Sequence, residues 1–261
     1  AACYAMIAYQ TAYLKANFPV EYMTAVLTAE SRANTGPARD EKIASIVAEC
    51  KRMGIVLLPP DINRSAVEFT VEEKKIRFGL SAIKNVGTAA IESILSARSD
   101  GKHFGSLSDF IRSVDVGKVN RKTLESLIKA GAMDPFGGRA AMLSGMGPLL
   151  DHVHRQKKSV AAGQVGLFDE EAQSNKNADQ DQLPNIEELL PRERLAFEKE
   201  LLGFYLTAHP LEQAVGELTR QGVTSIGSLS AERIGERVLI GGLVTSVKKI
   251  ITKAGNIFFK K

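Results

Sequence analysis

Ile76-Arg77-Phe78-Gly79-Leu80-Ser81-Ala82-Ile83-Lys84-Asn85-Val86-Gly87-Thr88-Ala89-Ala90-Ile91 is the stretch on which the reading of this chain turns. Two apolar segments of helical character flank a tight turn, Lys84-Asn85-Val86-Gly87. Asn and Gly tolerate positive φ, so the chain can reverse sharply there. Backbone N–H groups then point outward where a helix starts, near Thr88. Open N–H groups at a helix N-terminus suit an anion such as a phosphate. Lys84 would add a positive charge beside them. The layout is that of a helix-hairpin-helix, a module that grips a nucleic-acid backbone without reading its sequence. The plainer alternative is an ordinary corner between two helices.

Upstream, the hydrophobic period is two. Val67, Phe69 and Val71 alternate, as do Ile76, Phe78 and Leu80, with Glu72-Glu73-Lys74 between them as a polar turn. This predicts a β-hairpin leading into the turn motif. Before it, Leu57-Leu58-Pro59-Pro60 reads as an extended connector. Earlier still the pattern is helical, over residues 1–16, 20–30 and 38–53. Tyr4, Ile7, Ala8, Tyr13 and Leu14 are the expected inner side of the first helix. Tyr22, Met23, Val26 and Leu27 serve the second, and Ile43, Ile46 and Val47 the third. Asn17 with Pro19 ends the first helix, residues 31–37 form a loop, and Gly54 stops the third.

Downstream, short helices are expected at 106–112 and 120–130, the second closed by Gly131. A further helix at 139–158 contains Gly145, Gly147 and Pro148. Residues 159–183 are polar and read as a linker. Helical patterns return at 186–205 and 211–220. From Arg237 the chain turns to β, with Val238, Ile240, Leu243, Val244 and Val247 in an apolar strand. Ala254-Gly255-Asn256 is a turn before Ile257-Phe258-Phe259.

Composition excludes several classes. The 261 residues are 44% hydrophobic and 25% charged, which is ordinary globular composition. No apolar run of about 18 residues spans a membrane. The start, Ala1-Ala2-Cys3-Tyr4-Ala5-Met6, lacks the basic opening of a signal peptide. Both ends fall inside apparent elements, so the chain is read as a piece of a longer protein. Cys3 and Cys50 lie far apart, and His103, His152, His154 and His209 form no metal-site spacing, so reduced thiols are expected. The net charge is +4 but unevenly spread. Residues 101–160 hold ten Lys/Arg against five Asp/Glu, and residues 161–200 hold four against ten. A basic block beside an acidic one points to a nucleic-acid face next to a solvated linker, with plain surface variation as the alternative.

Two further segments carry chemistry. In Lys118-Val119-Asn120-Arg121-Lys122-Thr123-Leu124, Asn120 is a good N-cap, and Leu124, Leu127 and Ile128 form a core stripe. Lys118, Arg121 and Lys122 could meet phosphates or form a solvated face. The other segment is Gln164-Val165-Gly166-Leu167-Phe168, an apolar island in an acidic linker. Leu167 and Phe168 could fill a pocket on a partner while Gln164 supplies directional hydrogen bonds; a chance pair is the alternative.

The chain also resembles the bacterial DNA polymerase III alpha-subunit family, over nearly its whole length and in the family's order. The matching stretches begin with Ala8-Tyr9-Gln10-Thr11-Ala12-Tyr13-Leu14-Lys15 and Pro19-Val20-Glu21-Tyr22-Met23. Leu58-Pro59-Pro60-Asp61-Ile62-Asn63 and the run from Phe78 to Gly87 follow. Leu127-Ile128-Lys129-Ala130-Gly131-Ala132-Met133-Asp134, Phe197-Glu198-Lys199-Glu200-Leu201-Leu202-Gly203-Phe204-Tyr205 and His209-Pro210-Leu211 complete the set. Two positions depart from it: Asn85 and Ala208 stand where the family usually has Gly.

The resemblance implies a mainly α, multi-domain chain with small β parts. Residues 1–60 would be the end of a fingers domain and 61–150 a tandem helix-hairpin-helix domain for duplex DNA. Residues 151–183 would be a linker carrying a sliding-clamp motif at Gln164, Val165, Gly166, Leu167 and Phe168. Residues 184–227 would be a helical connector, and 228–261 the start of an OB-fold barrel. The implied DNA contacts are Lys84, Asn85, Val86, Gly87, Thr88, Lys118, Arg121 and Lys122. The implied partners are primer-template duplex, the beta sliding clamp and, through the OB domain, single-stranded template, in a bacterial cytoplasmic replisome and not at a membrane. The resemblance implies that the family's chemistry uses palm carboxylates to hold divalent metal, magnesium, and no paired-Asp pattern here supplies such ligands. No catalytic residue, metal site or cofactor is therefore expected in this chain. An error-prone alpha paralogue, a helix-hairpin-helix module of a repair nuclease or ligase, and a purely structural interaction domain remain as alternatives.

Overall fold

The computed structural model describes residues 2–33, 37–161 and 183–207, together with 220, 222–224, 227, 229–230, 233–241, 248–251 and 257–260. The chain divides into two units, residues 1–207 and 208–261.

The first unit opens with three helices, α1 (Ala2–Asn17), α2 (Pro19–Ala33) and α3 (Pro37–Arg52). Prolines stand at the first positions of α2 and α3, where a missing N–H leaves no gap in the helix. Both helices extend into the loop expected at 31–37, whose residues 34–36 lie outside the described ones. Met23 and Leu27 of α2 and Ile43, Val47 and Cys50 of α3 are buried at helical spacing. Burial pushes the Cys50 thiol up to about 11, so it packs as a small apolar side chain. Gly54, at φ +74°, closes α3.

The inner side expected for α1 does not form. Tyr4, Ile7, Tyr13 and Leu14 are exposed, and no residue of the helix is buried. Its sequence is apolar all round, so it has no polar face to fix which side turns inward. A hydrogen-bonded ion pair ties it to α3: Lys15 donates to Glu49 over 2.9 Å. Arg52 and Lys15 together hold the Glu49 carboxyl down to about 2.

A three-stranded sheet follows, in the order β1 (Leu57–Leu58), β3 (Lys75–Arg77), β2 (Thr70–Glu72). Part of the expected extended connector is thus a strand, parallel to β3. Glu73 and Lys74, both at positive φ, make the two-residue turn of the β2–β3 hairpin, with Val71 opposite Ile76. The ladder is shorter than the alternation implies, and Val67 and Val71 stay exposed while Phe69 is buried. The chain leaves the ladder because Gly79 crosses the backbone of Glu68. A Cβ on Gly79 would lie 2.6 Å from Glu68 Cα and 2.7 Å from its carbonyl oxygen. Beyond this crossing, Leu80 and Ser81 donate to the carbonyls of Ala66 and Val67.

Phe78 sits at the centre of the core, its ring edge-on to Phe69 at 4.8 Å and 6.0 Å from Phe204. Ser65, fully buried, donates to the Phe78 carbonyl over 2.7 Å.

Among the described residues, this unit continues with α4 (Thr88–Ala97), α5 (Leu107–Ser113), α6 (Arg121–Lys129), α7 (Arg139–Ala161) and α8 (Pro191–Leu202). The segment ahead of the 84–87 turn is a correction to the two-helix expectation. It is one 3-10 turn, Leu80–Ala82, because only three residues separate the Gly79 crossing from Ile83. Ser106 and Asn120 cap α5 and α6 by accepting from Asp109 N and Thr123 N. Gly131, at φ +83°, ends α6. Helix α7 continues through Pro148 and across the boundary expected at 150/151. Helix α8 starts at Pro191 and not at 186. The preceding residues are extended because Glu188 caps α7, accepting from Arg139 N at 2.8 Å and Ala140 N at 3.2 Å. Burial would raise the Glu188 carboxyl, but these N–H groups and that of Leu189 hold it below the usual carboxylate range.

In the second unit, β4 (Lys248–Ile251) and β5 (Ile257–Lys260) pair antiparallel, with Ile251 opposite Ile257. The apolar strand expected from Arg237 is absent from the described residues 233–241, where Leu239 and Ile240 are exposed. Leu243, Val244 and Val247, the turn Ala254-Gly255-Asn256 and residues 211–219 lie outside the described residues, as do Gln164, Val165, Gly166, Leu167 and Phe168. Among the described residues, no helix is long and apolar enough to cross a membrane.

Gly79→Ala is expected to lower unfolding stability by about 1–3 kcal/mol, because the new methyl group meets rigid backbone. Urea denaturation of the two chains side by side checks this.

Candidate functional site

The 84–87 turn is built by Asn85, which adopts φ +65°. Gly87 does not supply the positive φ expected of it. It is the N-cap of α4 at φ −81° and ψ 161°. Asn85 is braced from behind by α6: its Nδ2 donates to Ser126 Oγ at 3.2 Å, and Thr123 Oγ1 donates to its carbonyl at 3.1 Å. The Val86 side chain is buried, so only its backbone faces outward. Gly87, Thr88 and Ala89 are exposed, and among the described residues their N–H groups have no acceptor.

The second turn, between α5 and α6, is an Asx turn on Asp115. Its carboxylate accepts from Gly117 N at 2.9 Å, and its carbonyl accepts from Lys118 N and Val119 N. The Ser93 hydroxyl of α4 accepts from Asp115 N at 2.9 Å, which fixes one turn against the other. Asn120 then caps α6, leaving the N–H groups of Arg121 and Lys122 without an acceptor among the described residues.

These bonds bring the two turns to one open groove of about 460 Å³, lined by Asn85, Val86, Gly87, Ala89, Ala90, Lys118, Asn120 and Thr123. The N-termini of α4 and α6 therefore meet at the same concavity, and both present partial positive charge there. A smaller groove of about 170 Å³ shares Asn120 and continues over Arg121, Val116, Val119, Gly147, Leu150 and Asp151. The Arg121 guanidinium lies over α7 beside Gly147, at ordinary van der Waals distance.

The sequence-predicted residues separate into two sets. Asn85, Val86, Gly87 and Lys118 line the main groove, Thr88 and Lys122 are exposed in the first turns of α4 and α6, and Arg121 lines the adjoining groove. Lys118, Arg121 and Lys122 have no ion-pair partner among the described residues. Lys84 stands apart: its ammonium is 2.6 Å from Asp40 of α3, and it does not line the groove. Sequence reasoning missed Thr123 and Ser126 as braces, because their partner lies some forty residues away. Asn120 was visible as a cap, but nothing in its sequence context marked it as shared by two grooves. Among the described residues, no three His, Cys, Asp or Glu side chains gather as metal ligands do.

A family model described as a helix-hairpin-helix motif matches residues 54–142, the segment that builds both turns. DNA polymerase III subunit alpha of Thermus aquaticus is 37% identical over 269 residues, covering 98% of this chain and 20% of the relative. The Vibrio cholerae subunit is 37% identical over 256 residues, covering 97% of this chain and 22% of the relative. For Escherichia coli K12 the figures are 38% over 261 residues, with 98% and 22% covered.

The chain belongs to the DNA polymerase III alpha-subunit family. It spans about a fifth of the length of these relatives. In this chain, Asn85 stands where the family resemblance leads one to expect Gly, and its φ of +65° shows how it replaces it. Asn is among the few side chains that enter this backbone region without large strain.

Asn85→Val is expected to destabilise the chain by about 1–2 kcal/mol, since a β-branched residue resists the left-handed conformation. Asn85→Gly keeps that conformation and should give the smaller loss of the two. Thermal melts of both variants decide it.

Proposed function

We propose that this chain is a DNA-binding and sliding-clamp-binding region of a replicative DNA polymerase alpha subunit, serving processive synthesis by the whole enzyme. The observation that carries the DNA part is the groove where two helix N-termini, unpaired backbone N–H groups and Lys118 converge. Its donors recognise phosphate oxygens and read no base, so the grip is independent of sequence. Arg121 and Lys122 extend the positive surface along α6. The polymerase relatives and the helix-hairpin-helix match support this reading, and they give no support to a repair-enzyme module or an error-prone paralogue.

Residues 164–168 are the proposed clamp peptide, with Leu167 and Phe168 as anchors and Gln164 as the hydrogen-bonding group. A tether to a ring around the duplex raises local concentration, so the polymerase stays near the primer end without a tight grip. Within the same proposal, residues 1–60 complete a fingers domain and residues from 228 begin an OB fold for single-stranded template. Nucleotide addition would belong to carboxylates and magnesium in the family's palm domain. This chain's residues position the duplex.

Gly87 gives a sharp test of the groove. Its φ is ordinary and an added Cβ meets nothing within 4 Å, so Gly87→Ala should cost no more than about 1 kcal/mol, the difference between Gly and Ala as an N-cap. A methyl group there would nonetheless stand where the phosphate approaches. Fluorescence anisotropy on a labelled duplex should show weaker binding by Gly87→Ala. Replacing Lys118, Arg121 and Lys122 by Gln should flatten the log-affinity against log-salt slope by about 0.9 per cation removed. Unchanged affinity and slope in both variants would refute the groove as the duplex site.

The clamp peptide is tested by titrating the chain against a beta sliding clamp. Micromolar or tighter binding is expected, lost in the Leu167→Ala/Phe168→Ala double variant. Equal binding by the double variant would remove residues 164–168 from the interface.

A further inference from the structure

Among the described residues, Lys84 is the one predicted groove cation with an ion-pair partner. Its ammonium meets Asp40 Oδ2 at 2.6 Å, and its backbone N–H donates to the Leu201 carbonyl at the end of α8, at 3.0 Å. The Asp40 carboxylate is held from three sides. Gly203, at φ +89°, passes so close that a Cβ there would lie 2.8 Å from Asp40 Cβ and 3.2 Å from Oδ1. Arg39 Nε stands 3.8 Å from Oδ1, and Lys84 occupies Oδ2. Arg39 itself is anchored to the 3-10 turn before Ile83, its guanidinium donating to the Ala82 carbonyl at 3.3 Å, while its buried Nε has no hydrogen-bond partner. Asp40 therefore separates two cations. It sits only 16% exposed, where solvent screens the pair less than at an open surface.

Lys84 directly precedes Asn85, the first residue of the groove, so an ammonium released from Asp40 could swing to a phosphate held by the turn. We propose that Asp40 is a counter-charge that attenuates duplex affinity: it keeps Lys84 off the phosphate backbone and leaves the first hairpin to bind through N–H groups alone. Asp40 lies on α3, outside the hairpins, so a helix of the preceding segment sets how strongly the hairpin grips. A grip held below its attainable strength suits a protein that must advance along DNA. The inference rests on the duplex-binding reading above.

Asp40→Asn keeps the shape and removes the charge. Duplex affinity of the 261-residue chain would be measured across a salt series for the wild type, Asp40→Asn, Lys84→Met and the double variant. Asp40→Asn is expected to bind several-fold more tightly, with a salt slope steeper by about 0.9, the increment for one added phosphate contact. Added to Lys84→Met, Asp40→Asn should change neither the affinity nor the slope. An equal gain from Asp40→Asn in the Lys84→Met background would reflect the loss of an acidic charge alone and would overturn the proposal, as would no gain in Asp40→Asn by itself. If circular dichroism shows that Asp40→Asn does not fold, Lys84→Met still decides: a loss as large as that of Lys118→Met means that Lys84 already contacts DNA and overturns the proposal. Wild-type chain that binds duplex without salt dependence would instead overturn the duplex reading and this inference with it.

Discussion

Everything at the candidate site depends on how Asn85 is fastened to α6. A turn that offers its N–H groups to a ligand cannot use them to hold itself together. It is stabilised instead through its carbonyl, which accepts from Thr123, and through its side chain, which donates to Ser126. The same two bonds fix α6 beside α4, so the N-termini of both helices open on one groove. Buried polar groups need partners, and here the partners of the turn are taken from the next hairpin and not from its own outward face.

The two hairpins offer an anion two different kinds of physics. The first presents oriented peptide dipoles, and its lysine is neutralised by Asp40. The second presents full charges on Lys118, Arg121 and Lys122. Charge contacts weaken with salt through counterion release, whereas short-range N–H donors respond less. The surrounding frame is rigidified by buried charges held by close hydrogen-bond partners. Arg139, 4% exposed, is held by the Asp134 carboxylate at 2.7 and 2.8 Å and donates to the Lys129 carbonyl at 3.0 Å, closing the end of α6. Glu198, equally buried, accepts from Leu206 N, Thr207 N and the Thr207 hydroxyl, fixing the chain as it leaves α8.

Much of this was legible in local sequence. The N-cap Asn120, the helix stops Gly54 and Gly131, and the β-hairpin at 72–75 follow from side-chain chemistry acting over four or five residues. Helix α1 was misjudged because an apolar surface on all sides carries no phase information. The start of α8 was placed too early because the extended run before it is set by Glu188 capping a helix some fifty residues upstream. Periodicity has no access to a capping partner at that distance.

The sequence by itself determined the order of elements, the placement of Asn85 in a turn and the family to which the chain belongs, since each rests on local propensity or on aligned residue identity. Only the tertiary structure decided which cations remain available. Lys84 and Lys118 look alike in sequence, but Asp40 claims the first and nothing among the described residues claims the second. The physical reason is that Coulomb attraction depends on separation in space. The helix that carries Asp40 is brought to Lys84 by packing across more than forty residues of chain.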